Sequence, residues 1–250
     1  MIFQQIRQKS PIVHCITNIV SANFQANGLL AVGASPIMSE SIDESEEIAS
    51  KVQALCLNIG TLNPNTIHLM STAGKAANHS NIPVVLDPVG AGFTQYRTKS
   101  TLQLLQSFEV QAIRCNLGEF AALANIKWQS KGVDAGTGNL NEIKEKIQFF
   151  AKEYNCIVAV TGEEDILACA DKMITISGGH HLITQVTASG CLLSSICAAS
   201  LCLNSNNFQS LQQTLQSYKQ AAWHAFTQSR LLGQFQTEFI NRLYQLSLGV

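Results

Sequence analysis

The stretch Thr187-Ala188-Ser189-Gly190-Cys191 leads directly into an apolar run that extends from Leu192 to Leu203. The run contains no glycine or proline and is apolar nearly all round, which is the pattern of a buried helix. Thr187 or Ser189 can cap the start of this helix, and Gly190 lets the backbone pass close to a ligand. We therefore expect the rest of the chain to be arranged around one buried helix and its first turn.

The first turn of this helix is a candidate anion site, formed by the amides of Ala188, Ser189, Gly190 and Cys191. Such amides lack partners inside the helix and lie at the positive end of its dipole, so they bind anions. At this position the pKa of the Cys191 thiol should fall from about 8.5 towards neutrality. The alternative is structural: a loop of small residues that precedes a core helix and contains one more buried cysteine.

The composition indicates one folded domain over residues 1–250. The chain has 250 residues, of which 46% are hydrophobic, and a formal net charge of −1. This is enough to bury a large core, and a single α/β domain of this size is ordinary. The near-zero charge and the lack of a Lys/Arg cluster argue against nucleic-acid binding and against an anionic membrane surface. The low charged fraction, 13%, is a hint of subunit contacts.

The eight cysteines do not have the spacing of a disulfide framework or a zinc site. None lies in a Cys-x-x-Cys pair, and most sit within apolar runs. The start of the chain, from Met1 to Arg7, lacks the order of basic and then apolar residues that a signal peptide has, and no apolar run reaches membrane-spanning length. We expect a cytoplasmic protein.

Strands and helices are predicted to alternate through most of the chain. Apolar, β-branched runs predict strands at 11–16, 37–38, 54–59, 83–87, 110–114 and 156–160, followed by a hairpin-like pair at 166–169 and 173–177. Helices are predicted between the strands, one of them capped by Thr17 and Asn18, and the chain ends with helices at 208–232 and 237–248. Continuous apolar strands in this order indicate a mostly parallel sheet covered by helices on both faces.

Polar residues follow several of these strands. Asp87, the segment Arg114-Cys115-Asn116 and the pairs Gly60-Thr61 and Thr161-Gly162 all stand at predicted strand carboxyl ends. In a parallel sheet those ends meet at one edge, which is where ligands bind. We therefore expect these polar residues to converge on one functional edge.

The two carboxylates near this edge each have two interpretations. Asp87 can be a magnesium ligand or a cap for the turn that follows it. Asn116 and Glu119 have the spacing of a capping box. The same arrangement also suits an oxygen-only shell around a hard cation, which Mg²⁺ usually shares with substrate phosphates and waters.

Several common motifs are missing from the sequence. Gly90-Ala91-Gly92 lacks the third glycine of a dinucleotide fingerprint, and no Gly-x-x-x-x-Gly-Lys-Ser/Thr segment of a P-loop occurs. Any nucleotide must then be held by helix N-termini and magnesium. His14, His180 and His181 have no partner at metal-ligand spacing, so we expect structural roles for them. No residue pattern identifies a histidine base that would make Cys191 a covalent nucleophile.

Taken together, the motifs resemble those of the hydroxyethylthiazole kinases, which belong to the ribokinase-like superfamily. The resemblance extends over nearly the whole chain and is specific, because seven or eight blocks occur in the family's order. They are the blocks at 11–18, 33–38, 58–62, 86–92, 114–119, 131–134, 160–162 and 187–194. The resemblance implies a three-layer α/β/α ribokinase-like fold with a central mostly parallel sheet.

The resemblance also implies ATP-dependent phosphorylation of the hydroxyl group of 4-methyl-5-(2-hydroxyethyl)thiazole, a salvage step towards thiamine. The family is typically a trimer with sites at subunit interfaces. By position, the resemblance implies that Met38 and Ala188 line the thiazole pocket and that Arg114 and Thr161 contact ATP. It implies that Asp87 and Glu119 hold Mg²⁺ through phosphate and water. Cys191 stands in the place where ribokinase relatives usually carry an aspartate base.

The sequence departs from the family pattern in three places. The signature loop usually reads Thr-Gly-Thr-Gly-Cys, so Ala188 and Ser189 replace glycine and threonine. The block that begins at Arg114 usually reads Arg-Gly-Asn-Ala-Ser-Glu and differs here at three positions, and a Gly-Pro-Gly that is frequent near the C-terminus is missing. A methyl group at position 188 either narrows the pocket or requires a backbone angle that alanine disfavours.

Two other functions remain open from the sequence. One is a related kinase that acts on another small alcohol, for instance a hydroxymethylpyrimidine, although Met38 and the cysteine in place of aspartate favour the thiazole. The other is a non-catalytic protein that binds thiazole or nucleotide, which the altered loop suggests. Release of ADP from ATP in the presence of Mg²⁺ and a panel of small alcohols separates the three.

Overall fold

The computed structural model describes residues 1–126, 140–203 and 206–250, and an eight-stranded sheet lies at its centre. The strands are β1 (Ile12–Ile16), β2 (Ser35–Ile37), β3 (Ala54–Asn58), β4 (Val84–Asp87), β5 (Ala112–Asn116), β6 (Ile157–Thr161), β7 (Asp165–Ala168) and β8 (Met173–Ile176). Their spatial order is β2-β1-β3-β4-β5-β6-β7-β8. The pairs from β2 to β6 are parallel, and β7 and β8 add an antiparallel hairpin. The predicted mostly parallel sheet is confirmed.

Helices cover both faces of this sheet, so the three-layer prediction is also confirmed. One face carries α1 (Ile2–Lys9), α2 (Ala22–Val32), α8 (Ser189–Leu201), α9 (Asn207–Gln228) and α10 (Leu232–Leu248). The other face carries α3 (Ile42–Ala49), α4 (Pro64–His79), α5 (Gln95–Ser107), α6 (Leu117–Leu123) and α7 (Leu140–Glu153). Two separate apolar clusters result, one on each side of the sheet.

Helix α8 is the buried helix that the sequence predicts. All of its residues from Leu192 to Leu201 are buried, and it packs against β1, β3 and β4 on one side and α2 and α9 on the other. A helix that has neighbours on all sides buries apolar residues around its whole circumference, which explains the lack of a polar stripe. The helix therefore fixes the distance between the sheet and the outer helices of this layer.

The alternation of side chains along the strands decides which residues face α8. In β4, Val85 belongs to the α8-side cluster, whereas Val84 and Leu86 belong to the cluster on the opposite face. Because successive side chains of a strand point to opposite faces, the next residue on the α8 side is Asp87. In β3 the same alternation puts Asn58 on the α8 side, two residues after Cys56. The strands thus bring polar residues beneath the start of α8.

The starts of two helices and the end of a third differ from the prediction, the third being α9, which ends at Gln228 and not at 232. Helix α2 begins at Ala22, because the preceding residues form a tight turn in which the Ser21 amide donates to the main-chain and side-chain oxygens of Asn18, at 3.1 and 3.0 Å. Thr17 and Asn18 therefore do not cap the helix directly. Helix α10 begins at Leu232, five residues before the predicted start. The Gly-rich loop predicted at 131–138 lies outside the described residues.

The cysteines and the hydropathy agree with the sequence analysis. All eight cysteines lie among the described residues, and all are free thiols. Within the described ranges, no helix combines the length and the hydropathy that crossing a membrane requires.

We predict that Gly28→Ala destabilises the protein. Gly28 lies on α2 against α8, and an added methyl group would overlap the fully buried side chain of Leu192, with the Cβ atom 2.8 Å from Leu192 Cγ. Overpacking of this kind costs about 1–3 kcal/mol. Urea unfolding followed by circular dichroism measures the effect.

The matched control is Gly233→Ala, since Gly233 is also a helical glycine but has no atom within 4 Å of an added Cβ. This change should be neutral or stabilise the protein by up to about 1 kcal/mol. Equal urea midpoints for the two variants would contradict the tight α2–α8 packing.

Candidate functional site

A fully buried carboxylate, Asp87, lies at the centre of the site. Its Oδ2 atom accepts hydrogen bonds from Asn58 Nδ2 at 2.7 Å and from Ser194 Oγ of α8 at 2.8 Å. Its Oδ1 atom has no hydrogen-bond partner, and the nearest cation is Arg114 Nη1 at 3.9 Å. Burial raises the pKa of Asp87 to about 6; Arg114 opposes this rise, and the charge of Glu119 adds to it.

The turn after β4 is capped by Glu119 and not by Asp87. The Oε1 atom of Glu119 accepts from the amide of Gly90 at 2.8 Å, and its Oε2 atom accepts from the amide of Asn116 at 2.9 Å. Asn116 Oδ1 in turn accepts from the Glu119 amide at 2.9 Å. The capping-box interpretation is thus confirmed, and the interpretation of Asp87 as a turn cap is wrong. Glu119 connects the start of α6 to the turn that follows Asp87.

Arg114 links Asp87 to the end of β6 and to α8. Its side chain is only 12% exposed, and Nη2 donates to Thr161 Oγ1 at 2.6 Å. A Cβ atom at position 190 would lie 2.6 Å from Nη1, so the guanidinium packs directly on Gly190. Glycine is required there because the arginine approaches the backbone. The predicted convergence of the strand ends is therefore observed for Asp87, Arg114 and Thr161.

The start of α8 has no side-chain cap. The N-cap residue is Ala188, in the left-handed region with φ of 70° and ψ of 3°. The predicted caps are wrong: Ser189 Oγ donates to the carbonyl of Ile183 at 2.9 Å, and Thr187 is exposed. Ser189 is turned away by a short 3₁₀ segment, His181–Gln185, that was not predicted. The amides of Ala188, Gly190 and Cys191 are consequently left without an acceptor among the described residues. The Ser189 amide of the predicted anion site is already occupied, since it donates to the carbonyl of Val186 at 3.2 Å.

Cys191 lies in the first turn of α8 and is partly buried. Asn18 Nδ2 donates to its sulfur at 3.6 Å. Burial raises the pKa of Cys191 and the charge of Asp87 raises it further, while neighbouring polar side chains and the charge of Arg114 act in the opposite direction. The expectation of a lowered pKa is wrong because burial outweighs these stabilising groups.

The remaining predicted residues lie at the same edge or have structural roles. Met38 follows the edge strand β2 and packs, partly buried, against the α8-side cluster. His180 caps the 3₁₀ segment through Nδ1 and stacks on Phe226. His14 is buried in β1 with Nε2 facing the carbonyl of Ser39 at 3.3 Å. The structure thus brings Met38 to the functional edge, on the far side of β1 and β3 from Asp87.

Three residues of the site were not predicted from the sequence. Asn18 and Asn58 connect Asp87 to Cys191, as described above. Arg97 donates to carbonyl oxygens of the loops after β3 and β4, at Ile59, Gly60 and Val89. The two-residue period of β3 could have indicated Asn58, since it places Asn58 on the same face as Cys56.

The carboxylate oxygens of the site suit a magnesium ion that is shared with phosphate. The free Oδ1 atom of Asp87 is a buried carboxylate oxygen without a partner, which is the kind of ligand Mg²⁺ prefers. Both oxygens of Glu119 already accept backbone amides, so a contact from Glu119 through water fits better than a direct one. Among the described residues no three His, Cys, Asp or Glu side chains form a complete metal cage.

The fold and the edge site define a three-layer α/β/α protein whose functional edge lies at the carboxyl ends of parallel strands. A ribokinase-like superfamily protein from Enterococcus faecalis V583 shares the fold, with a TM-score of 0.65, 8% identity, and coverage of 94% of this chain and 86% of that one.

The sequence matches the Hydroxyethylthiazole kinase family over residues 3–248, so the chain belongs to this family. It is 49% identical over 247 residues to the hydroxyethylthiazole kinase of Lysinibacillus sphaericus (strain C3-41), which covers 99% of this chain and 96% of the relative. The structure of the hydroxyethylthiazole kinase protein from Pyrococcus horikoshii OT3 superposes with a TM-score of 0.88 at 33% identity, covering 98% of this chain and 91% of that one.

We predict that Ala188→Gly stabilises the protein. A non-glycine residue in the left-handed region costs about 1–2 kcal/mol, and glycine removes this strain. The greater freedom of glycine in the unfolded chain takes back about 0.4–1 kcal/mol, which leaves a small net gain. Thermal unfolding of the two proteins measures the difference.

Ala76→Gly is the matched control, because Ala76 is partly buried within α4 and carries no positive φ. This variant should lose about 1 kcal/mol. If Ala188→Gly lowers the melting temperature as much as Ala76→Gly does, the backbone at position 188 is not strained.

Proposed function

We propose that this protein transfers the γ-phosphate of ATP to the hydroxyl group of 4-methyl-5-(2-hydroxyethyl)thiazole, a salvage step towards thiamine. The observation that carries the proposal is the packing of Arg114 on Gly190, at the uncapped start of α8 and above the buried Asp87. Membership of the hydroxyethylthiazole kinase family supports the choice of acceptor.

The transferred phosphate is stabilised by fixed positive charge. Phosphoryl transfer goes through a loose transition state, so catalysis rests mainly on positioning and on neutralising the charge of the equatorial oxygens. The amides of Ala188, Gly190 and Cys191 have no acceptor among the described residues, and the guanidinium of Arg114 packs on Gly190 beside them. These groups are held in place before substrate binds, because Thr161 fixes Arg114 and the core fixes α8. Arg114 and Thr161 are the proposed ATP contacts.

Asp87 and Glu119 are the proposed residues for Mg²⁺. When bound, the ion offsets negative charge on the phosphates of ATP. Asp87 contributes its free Oδ1 atom, and Glu119 contributes through water while it continues to hold the turn. Asn58 and Ser194 keep the Asp87 carboxylate in one orientation through Oδ2.

Met38 and Ala188 are the proposed lining of the thiazole pocket, and Cys191 is the proposed base. In the transfer the alcohol oxygen forms a bond to the γ-phosphorus, and the bond from that phosphorus to the β–γ bridging oxygen breaks, so that ADP leaves. The hydroxyl proton goes to the Sγ atom of Cys191. Because the pKa of Cys191 is raised in the unliganded protein, only a small fraction is thiolate at neutral pH.

The proposal extends to the assembly and the location of the protein. We propose one kinase domain over the whole chain, a homotrimer with sites at subunit interfaces, and a cytoplasmic location. Exposed apolar side chains beside the site, Ile19 and Val20 at 79% and 67%, support a subunit contact close to Asn18.

One assay tests the proposed activity. Purified protein is mixed with ATP, Mg²⁺ and a panel of small alcohols that includes hydroxyethylthiazole and a hydroxymethylpyrimidine, and release of ADP is measured. Turnover with the thiazole alone supports the proposal, and turnover with only the pyrimidine would assign the protein to the related kinase activity. Binding of the thiazole without ADP release would instead identify a non-catalytic binder.

We predict that Asp87→Asn lowers kcat/KM by about 10²-fold or more, the usual loss when one preorganised charge-stabilising group is removed. In the parent protein the fall in rate with falling pH should become steeper below about 6, because protonation of Asp87 then adds to the protonation of Cys191. The variant should lack this acidic limb and respond weakly to Mg²⁺. Initial rates measured from pH 5 to 8 over a range of Mg²⁺ concentrations provide the test.

Asp43→Asn is the control for this experiment, since Asp43 is an exposed carboxylate in the first turn of α3. It should titrate with Mg²⁺ like the parent. A parent-like magnesium titration for Asp87→Asn as well would remove Asp87 from the metal site.

We predict that Cys191→Ala lowers the rate by about 10²- to 10⁴-fold, the usual contribution of a general base. Cys191→Asp should keep activity or exceed the parent, since a carboxylate is ionised at neutral pH. The parent's kcat/KM for the alcohol should rise with pH beyond the ordinary cysteine pKa of about 8.5, because burial raises the pKa of Cys191.

Single-turnover kinetics at several pH values measure these rates where chemistry is limiting. Cys191→Ala keeps the backbone amide at position 191. A rate within a few-fold of the parent would therefore mean that only this amide takes part, and that the thiol does not.

A further inference from the structure

Two buried asparagines form a chain of hydrogen bonds from Asp87 to Cys191. Asn58 Nδ2 donates to Asp87 Oδ2 at 2.7 Å, and Asn18 Nδ2 donates to Asn58 Oδ1 at 2.8 Å. Asn18 Nδ2 also donates to Cys191 Sγ at 3.6 Å. Asn58 ends β3 and Asn18 lies two residues after β1, so neighbouring strands supply the two links.

The orientation of both amide groups is fixed by backbone donors. The amide of Gly60 donates to Asn58 Oδ1 at 3.0 Å, which turns the NH₂ group of Asn58 towards Asp87. The amide of Ser21 donates to Asn18 Oδ1 at 3.0 Å, which turns the NH₂ group of Asn18 towards Asn58 and Cys191. A backbone N–H can only donate, so neither side-chain amide can be reversed without losing a hydrogen bond.

The Gly60 backbone also confines Asn18. A Cβ atom at position 60 would lie 2.7 Å from Asn18 Nδ2, so the amide group has no room to rotate away on that side. Asn18 and Asn58 are 6% and 1% exposed, which keeps water from competing for these contacts. The series of hydrogen bonds from Asp87 to Cys191 is therefore held in one orientation, and its two asparagines are shielded from water.

The sulfur of Cys191 consequently meets an N–H donor of fixed direction. The charged and titratable groups that face it are Asp87 from β4, Arg114 from β5 and Tyr218 from α9. A donor stabilises the thiolate more than the thiol, because the thiolate is the stronger acceptor.

We propose that Asn18 is a positioning residue that holds and stabilises the Cys191 thiolate, and that Asn58 acts through Asn18 by fixing its amide. This deepens the proposed function, on which it rests for the role of Cys191. In this proposal two neutral side chains provide a hydrogen-bond donor that reaches the sulfur from the side of the sheet. Neither the charge of Arg114 nor the start of α8 provides a donor from that side.

The test is the pH dependence of Cys191 alkylation by iodoacetamide, without ATP or alcohol, with the modified peptide followed by mass spectrometry. Asn18→Ala should raise the measured pKa of Cys191 by about one, so that about tenfold less thiolate forms below it. Asn18→Asp keeps the acceptor for the Ser21 amide but replaces the donor by an ionised carboxylate oxygen, whose negative charge also disfavours the thiolate, so it should raise the pKa at least as far.

The control is Asn63→Ala. Asn63 Oδ1 accepts from the amide of Thr66, three residues on, as Asn18 Oδ1 does from Ser21, and it caps α4 away from Cys191. This variant should leave the alkylation profile unchanged. A parent-like pKa for Cys191 in either folded Asn18 variant would overturn the proposal.

A double variant with Asn18→Ala tests the role of Asn58. If Asn58 acts through Asn18, Asn58→Ala should raise the pKa less in the Asn18→Ala background than in the parent, and full additivity would remove Asn58 from the chain of contacts. Alkylation needs no substrate, so the outcomes are distinguishable. A shifted pKa without kinase turnover would refute only the proposed function, and turnover with an unshifted pKa would refute only the role of Asn18.

Discussion

The arrangement of the site depends on one constraint, the burial of the Asp87 carboxylate between the sheet and α8. A buried carboxylate is costly unless it is hydrogen-bonded and paired with opposite charge. Asn58 and Ser194 satisfy one oxygen, and Arg114 approaches the other only to 3.9 Å. These partners come from β3, α8 and β5. Holding them in place therefore fixes the height and the rotation of α8 over the sheet.

The neighbours of Asp87 compensate its negative charge only in part, and this leaves one carboxylate oxygen free for a ligand. The pKa of Asp87 is raised to about 6, so the folded state binds its proton more tightly than the unfolded chain does. The protein therefore loses stability as the pH rises from about 4 to about 6 and Asp87 ionises. A carboxylate whose partners fully satisfied it would have no oxygen left for a cation. The site thus trades stability of the unliganded fold for a free acceptor atom.

The start of α8 also keeps polar groups without a partner. Ala188 adopts a left-handed conformation and no side chain caps the helix, so the amides of Gly190 and Cys191 are left without an acceptor among the described residues. Gly190 has no side chain because Arg114 occupies the space in which a Cβ atom would lie. Strain at Ala188 and the missing side chain at Gly190 allow Arg114 and the free amides of the first turn to face the same point.

Much of this could be predicted from the sequence, because it depends on local patterns. The apolar run of α8, the parallel strands and the capping box of Asn116 and Glu119 follow from periodicity and spacing, and the strand ends converge for topological reasons. The contact between Asn18 and Asn58 depends on the register of β1 against β3, which no local pattern specifies.

The wrong expectations have a common physical cause. The pKa of Cys191 was expected to fall because of the helix N-terminus alone, but burial by tertiary packing has the larger effect. The caps expected at Thr187 and Ser189 fail because the 3₁₀ segment before α8 draws the Ser189 hydroxyl to Ile183. Local sequence patterns describe neither desolvation nor competition between distant partners.

The central claim, that Arg114 and the start of α8 form the site of phosphate transfer, is tested most directly by a crystal structure with a non-hydrolysable ATP analogue and hydroxyethylthiazole. The account predicts the terminal phosphate against the amides of Ala188, Gly190 and Cys191 and the guanidinium of Arg114, with the alcohol oxygen facing Cys191 Sγ. A terminal phosphate bound elsewhere on the protein, with these amides free of ligand, would contradict it.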